Sequence, residues 1–155
     1  MSANIDTLID KSDNFELIRD EIAAILLVEI TNQKALAVLD SQDPALWNFD
    51  IYVERSKAWE LIEDANTGAI TSETPLVNVF FDQETFSDGQ SNNIEQQTAR
   101  GIFTIDCLSA KNSKRVAGEN VQGDELAARD VQRIARLVRN ILMSNIYSYI
   151  FTGKT

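Results

Sequence analysis

The chain has no histidine, one cysteine, two prolines and six scattered glycines among its 155 residues, and each shortage closes off a class of chemistry. Without histidine there is no usual general base for a serine or cysteine triad and no imidazole for a transition metal. A lone cysteine excludes an internal disulfide and suits a reducing cytoplasm. Cys107 falls within a hydrophobic strand pattern with no base beside it, as a buried structural thiol would. None of the glycines opens a strand-to-helix phosphate loop, so the nucleotide-binding fingerprints are missing. Cations are also scarce: 14 against 24 acidic side chains leave a net charge of −10. Such a charge opposes nonspecific binding to nucleic acid or to an anionic membrane. No uninterrupted apolar run approaches membrane-spanning length, and residues 1–13 lack the basic and apolar regions of a signal peptide.

What is present suits a single domain. A hydrophobic content of 44% in 155 residues fills one sizeable core, with residues 1–12 and 150–155 expected to be flexible or to dock on a partner. The charge is lopsided: residues 1–100 carry 6 basic and 19 acidic groups, whereas residues 101–155 carry 8 and 5. Opposite charge at the two ends lets copies of one chain pair head to tail, as in a ring or stack.

Hydrophobic spacing predicts a long helix over residues 13–39, capped by Ser12 or Asp13, with Phe15, Ile18, Ile22, Ile25, Leu26 and Leu36 on one stripe. Leu17, Ala24, Leu27 and Val28 project to the other side, so the helix has two apolar faces. A neighbouring subunit on Leu27 and Val28 explains this, as does a helix enclosed by its own domain. Residues 41–44 end the helix. Alternation from Trp47 to Glu54 predicts a strand, which residues 58–63 extend or follow with a second short one, and Gly68 lies in a turn. A short strand over residues 76–81, a loop around Asp88-Gly89 and a strand over residues 97–108 follow, with Phe103, Ile105 and Cys107 on one face. Residues 109–123 read as a long mobile loop carrying Lys111, Lys114 and Arg115, a candidate partner or lumen contact. A second helix starts at Gly123 with Asp124 as its cap and runs to about Tyr147, its core face built from Val131, Ile134, Val138, Ile141 and Leu142. The expected fold is α+β, a mainly antiparallel sheet of about four strands flanked by two long helices.

The residues offer no catalytic, cofactor or metal site. Asp82, Glu84 and Asp88 suggest a calcium loop, but Ser87 occupies the position of the required glycine and Asn93 that of the bidentate glutamate. The pairs Asp50/Glu54 and Glu60/Asp64 would serve acid–base chemistry, or hold Mg²⁺, only if folded into a cleft; on a solvated face they do nothing. Glu29 projects onto the apolar stripe and therefore needs an arginine, a proton or an exposed turn. Arg129, Arg133, Arg136 and Arg139 recur at helical spacing opposite the core face. A solvated face with Asp124, Glu125 and Asp130 nearby explains them, and so does a subunit interface, since arginine suits bidentate carboxylate pairing.

Several segments together resemble a known family: Asp43-Pro44-Ala45-Leu46-Trp47 leading into Tyr52-Val53-Glu54-Arg55-Ser56, Val77-Asn78-Val79-Phe80-Phe81-Asp82, Phe103-Thr104-Ile105-Asp106-Cys107, Gly123-Asp124-Glu125-Leu126-Ala127-Ala128-Arg129, and Leu137-Val138-Arg139-Asn140-Ile141-Leu142-Met143. Over residues 13–146 the chain is similar to the tail-completion and head-to-tail connection proteins of tailed bacteriophages, most of all to tail terminators. The resemblance implies an α+β virion subunit made in the host cytoplasm, assembled as a hexameric ring that caps the tail tube and meets the neck proteins. DNA would pass through the lumen unbound. Another neck ring or a tube-initiating baseplate ring would share these features. A small carboxylate-dependent enzyme, or a monomeric regulator that binds one partner, is the reading from other classes.

Overall fold

Residues 14–39 satisfy every turn of a single helix, and in the computed structural model, which describes residues 14–87, 98–144 and 146, they form α1 (Asn14–Leu39). The proposed caps Ser12 and Asp13, the ends 1–12 and 150–155, and the Asp88-Gly89 turn lie outside the described residues. Ser41 ends the helix in a left-handed conformation (φ 56°), and the N–H groups of Ser41 and Gln42 donate back to Val38 and Ala37. Ile22, Ile25, Leu26, Ile30 and Ala37 form its buried side.

That side rests on a three-stranded mixed sheet rather than a four-stranded antiparallel one. The order is β1 (Asp50–Val53), β2 (Leu76–Ser87), β3 (Thr98–Leu108), with β1 parallel to β2 and β2 antiparallel to β3. β1 is shorter than the alternation of its side chains suggests, because residues 44–47 wind into a 3₁₀ turn held by the Asp43 carboxylate on Ala45 N. A parallel pair needs a crossover, and residues 54–75 supply it across the sheet face opposite α1. Within it, residues 58–61 form a 3₁₀ turn, not a strand. Ala58 and Ile62, four residues apart as in a helix, bury themselves against Leu76, Tyr52 and Leu108.

Two polar side chains set the crossover in place. Asn78, buried in the middle of β2, accepts from Arg55 N (3.1 Å) and donates to Arg55 O (2.9 Å), so it pairs with that backbone as another strand would. Glu54, left-handed at φ 53°, accepts from Phe81 N (3.0 Å) and Arg19 Nη1 (3.1 Å), tying β1, β2 and α1 together. Just beyond, Asp82 is an extra residue in the β2–β3 register. Past that bulge, among the described residues, the two strands run on without a third, and Phe15 holds their root. Its ring stacks on Phe81 (5.2 Å) and covers Gly101, where a Cβ would stand 2.4 Å from it.

Residues 109–123 are not a loop. They contain a hairpin, β4 (Lys114–Val116) and β5 (Glu119–Val121), turned by Ala117 and Gly118 with φ of 51° and 91°. α2 (Gly123–Leu142) follows. Its N-cap is Gln122, without a side-chain bond; Asp124 lies in the first turn, where its charge still complements the helix dipole. Ile134, Val138 and Ile141 are buried, with Leu142 packed against them, and Met143 ends the helix earlier than the expected Tyr147. Both helices cover the same sheet face, sharing one core with Val77, Val79, Phe103, Ile105 and Cys107. The molecule is thus α+β and two layers deep.

Candidate assembly surfaces

The side of α1 turned away from the core is mostly apolar, interrupted by Asp20 and Thr31. Leu27 is 60% exposed, Val28 62% and Leu39 78%, and Leu17 and Val38 are exposed beside them. Projected at ~100° per residue, these side chains share one stripe with Ala24, Thr31 and Ala35, which are exposed too. Among the described residues nothing encloses this face. By length and composition alone α1 would qualify as a membrane span, but its opposite side makes the domain core.

Three of the four arginines stay on the outer side of α2 and one leaves it. Arg129 pairs with Glu125 one turn away, while Arg136 and Arg139 are exposed and make no ion pair among the described residues. Arg133 is the exception: it is folded against the protein, Nη2 3.6 Å from Asp130, with Nη1 buried and without a hydrogen-bond partner. Asp130 lies between it and Lys111, which the same carboxylate holds at 3.1 Å.

Lys111 and Lys114 are likewise occupied. Lys111 Nζ donates to Glu73 O (2.6 Å) in addition to pairing with Asp130. Lys114 Nζ lies 2.7 Å from Glu73 Oε2, and Asn112 donates to Glu73 Oε1 from both its backbone N (3.2 Å) and its amide (2.9 Å). The Lys114 ammonium first, and then the two bonds from Asn112, hold the Glu73 carboxyl well down, at about 2. Of the three cations proposed for a partner or lumen contact, two therefore fasten the hairpin base. Arg115 remains near the hairpin turn, its Nε donating to Gly118 O (3.2 Å). Glu73 is absent from the sequence-based candidates because it sits in a polar turn and its partners lie about forty residues on.

The outer face of the sheet carries a groove of about 310 Å³ beside the crossover. Phe80 and Leu108 form its floor, Trp59 a wall, and Glu54, Arg55 and Asp106 its rim. Ile102 lies farther along the same face, exposed, in strand alternation with Thr104 and Asp106. A smaller cleft of about 250 Å³ between α1 and α2 is lined by Glu29, Gln33, Trp47 and Asn140. Glu29 is half-buried there and accepts from Asn32 (3.4 Å), so it is not a bare charge in the core.

The other acidic candidates do not converge. Glu54 serves Arg19 and Phe81, and Glu60 pairs with Lys57 at 3.1 Å. Asp64 closes its own turn, and the bonds from Thr67 and Asn66 N–H groups hold its carboxyl below the usual range. Asp50 is exposed at the start of β1, and Asp82 at the bulge; Asp88 and the Glu84 side chain lie outside the described residues. Among the described residues no group of three potential metal ligands comes together. Cys107 is half-buried on the core side, and burial, then Asp106, pushes its thiol up to about 11. Protein-family models, curated protein sequences and solved structures give no match to this chain.

Proposed function

We propose that this chain is a structural subunit of a tailed-bacteriophage virion, a tail terminator that closes as a six-membered ring on the end of the tail tube and joins it to the neck. The observation that carries this reading is the outward face of α1. Five large apolar side chains on one stripe, about six-tenths exposed or more, exceed the scattered apolar residues normal on a monomer's surface and mark an interaction site. The resemblance of the segments quoted above supplies the particular assembly. The net charge of −10 fits a ring whose lumen repels DNA and lets it slide. Three of the four carboxylates that an enzyme reading would need are engaged in local structure, Glu54 with Phe81 and Arg19, Glu60 with Lys57 and Asp64 with its own turn, and the fourth, Asp50, stands apart on the surface.

Electron microscopy of the purified protein tests this directly. A closed ring with an open channel is expected, and gold-labelled protein on tailed particles should mark the neck end of the tube. A monodisperse monomer at high concentration would refute the assembly. Label at the far tip would make the chain a tube initiator instead.

A further inference from the structure

The fold leaves open the outer side of its helix layer and, on the opposite side, the part of the sheet that the crossover does not cover. One is the helix layer, with the apolar stripe of α1 beside Arg136 and Arg139 of α2. The other is the outer face of the sheet beside the crossover, with the Trp59–Phe80 groove, Ile102, and the carboxylates of Asp50 and Asp106. We propose that these are the two halves of one heterologous interface: the helix layer of one copy seats on the outer sheet face of the next. The proposal rests on the reading of the chain as an assembly subunit and names the surfaces it uses.

Size supports it first. From Leu17 to Leu39 the stripe runs ~33 Å at 1.5 Å per residue, and two adjacent helices are ~20 Å across. The projected patch of roughly 600 Å² is of the same order as the ~800 Å² that each partner gives to a stable interface. Charge supports it second. The helix layer presents Arg136 and Arg139, exposed and in no ion pair among the described residues, and the sheet side presents Asp50 and Asp106, both exposed, beside the single cation Arg55 of the groove rim. Arginine facing carboxylate across the rim of an apolar contact fixes the register of the two surfaces. Symmetry decides between partners. If α1 packed on α1 of a second copy, one patch would be used twice and the sheet groove would stay in water. A head-to-tail contact covers both patches, and repeating it closes a ring or grows a filament.

Two sets of surface variants test this, with circular dichroism checking the fold and light scattering reading the mass. Leu27→Glu with Val28→Glu poisons the helix side, and Trp59→Glu with Ile102→Glu the sheet side. Each should be monomeric alone. Mixed one to one, they keep one good pair of surfaces and should give a dimer that grows no larger. The second set uses only exposed charges, so folding is not at stake. Asp106→Arg, and Arg136→Glu with Arg139→Glu, should each weaken assembly by about tenfold, whereas mixing these two restores it, because every contact regains opposite charges. If the sheet-side variants assemble like the native chain, or if neither mixture restores association, the heterologous interface is wrong while a ring seen by microscopy still stands. If the pairs form as expected but the protein never locates to tails, the interface stands and the virion reading falls.

Discussion

Gly123→Ala sets two well-known effects against each other at one position. Gly123 is the first residue of α2 and its φ is not in the left-handed region. Helix propensity and the reduced freedom of the unfolded chain would both favour alanine, by about 0.5–1 kcal/mol each. The structure opposes this. A Cβ at Gly123 would stand 2.0 Å from the carbonyl oxygen of Lys111 and about 3 Å from the carbonyl carbons of Lys111 and Asn112. These are backbone atoms, and they cannot swing aside as a side chain would. Lys111 is anchored to Asp130 and Glu73, and Asn112 to Glu73, so retreat of this segment would break several bonds. Overpacking of this kind costs about 1–3 kcal/mol, at the upper end when backbone must move. The net expectation is a loss of about 1–2 kcal/mol, which lowers Tm by ~2–8 °C in a domain of this size. Urea unfolding followed by circular dichroism should show a lower midpoint with an unchanged slope. A Tm equal to or above that of the native chain would show that the contact between residues 111–112 and the helix start does not constrain the fold.

Two further outcomes follow from the polar ties. Asn78→Leu fills a similar volume but leaves the N–H and C=O of Arg55 without their partner; it should cost about 2–4 kcal/mol in chemical denaturation, and a cost below ~0.5 kcal/mol would mean that water replaces the amide freely. Glu73, held down at about 2 against 4.5 for an ordinary glutamate, binds its proton more weakly in the folded chain than in the unfolded one. Its contribution is therefore present above pH ~4.5 and is lost as the pH falls from there through about 2. Comparison of the native chain with Glu73→Gln should show a stability difference near neutral pH that shrinks across this window. A difference that stays constant with pH would mean that the carboxylate charge plays no part.

Much of the framework is legible in the sequence, because α1, the second half of β3 and α2 turn one side to the core and so keep the 3.6- or two-residue period. The hairpin over residues 114–121 is not, because its turn is made by Ala117-Gly118 instead of Asn-Gly or Asp-Gly, and Ala117 takes a positive φ that alanine rarely adopts. The crossover is missed for a different reason: a 3₁₀ turn of four residues buries only Ala58 and, just after it, Ile62, too few to reveal a period. The parallel pairing of β1 is equally hidden, since it depends on residues 54–75 carrying the chain back to the end of the sheet where β1 begins. Of the surfaces, the exposed stripe of α1 follows from simple helical projection and holds. Of the arginine ridge, Arg129, Arg136 and Arg139 stay exposed and Arg133 departs, because projection places side chains by angle alone, while Arg133 bends toward Asp130. Lys111 and Lys114 look free in a polar stretch and are tied to Glu73 and Asp130, which a linear reading cannot bring near.

The extra residue at Asp82 has a mechanical consequence. β1 supports β2 only through Val79, so beyond the bulge residues 83–87 and their partners in β3 project as a two-stranded ribbon about 17 Å long at ~3.3 Å per residue. A ribbon of two strands has little stiffness of its own about its root. Its direction is set by Phe15, wedged against Phe81 and Gly101 from the first turn of α1. A rotation of only ~10° at that wedge would carry the end of the ribbon roughly 3 Å, which is close to one strand residue. The start of α1 thus fixes the angle at which the ribbon leaves the sheet, through one aromatic contact at its root.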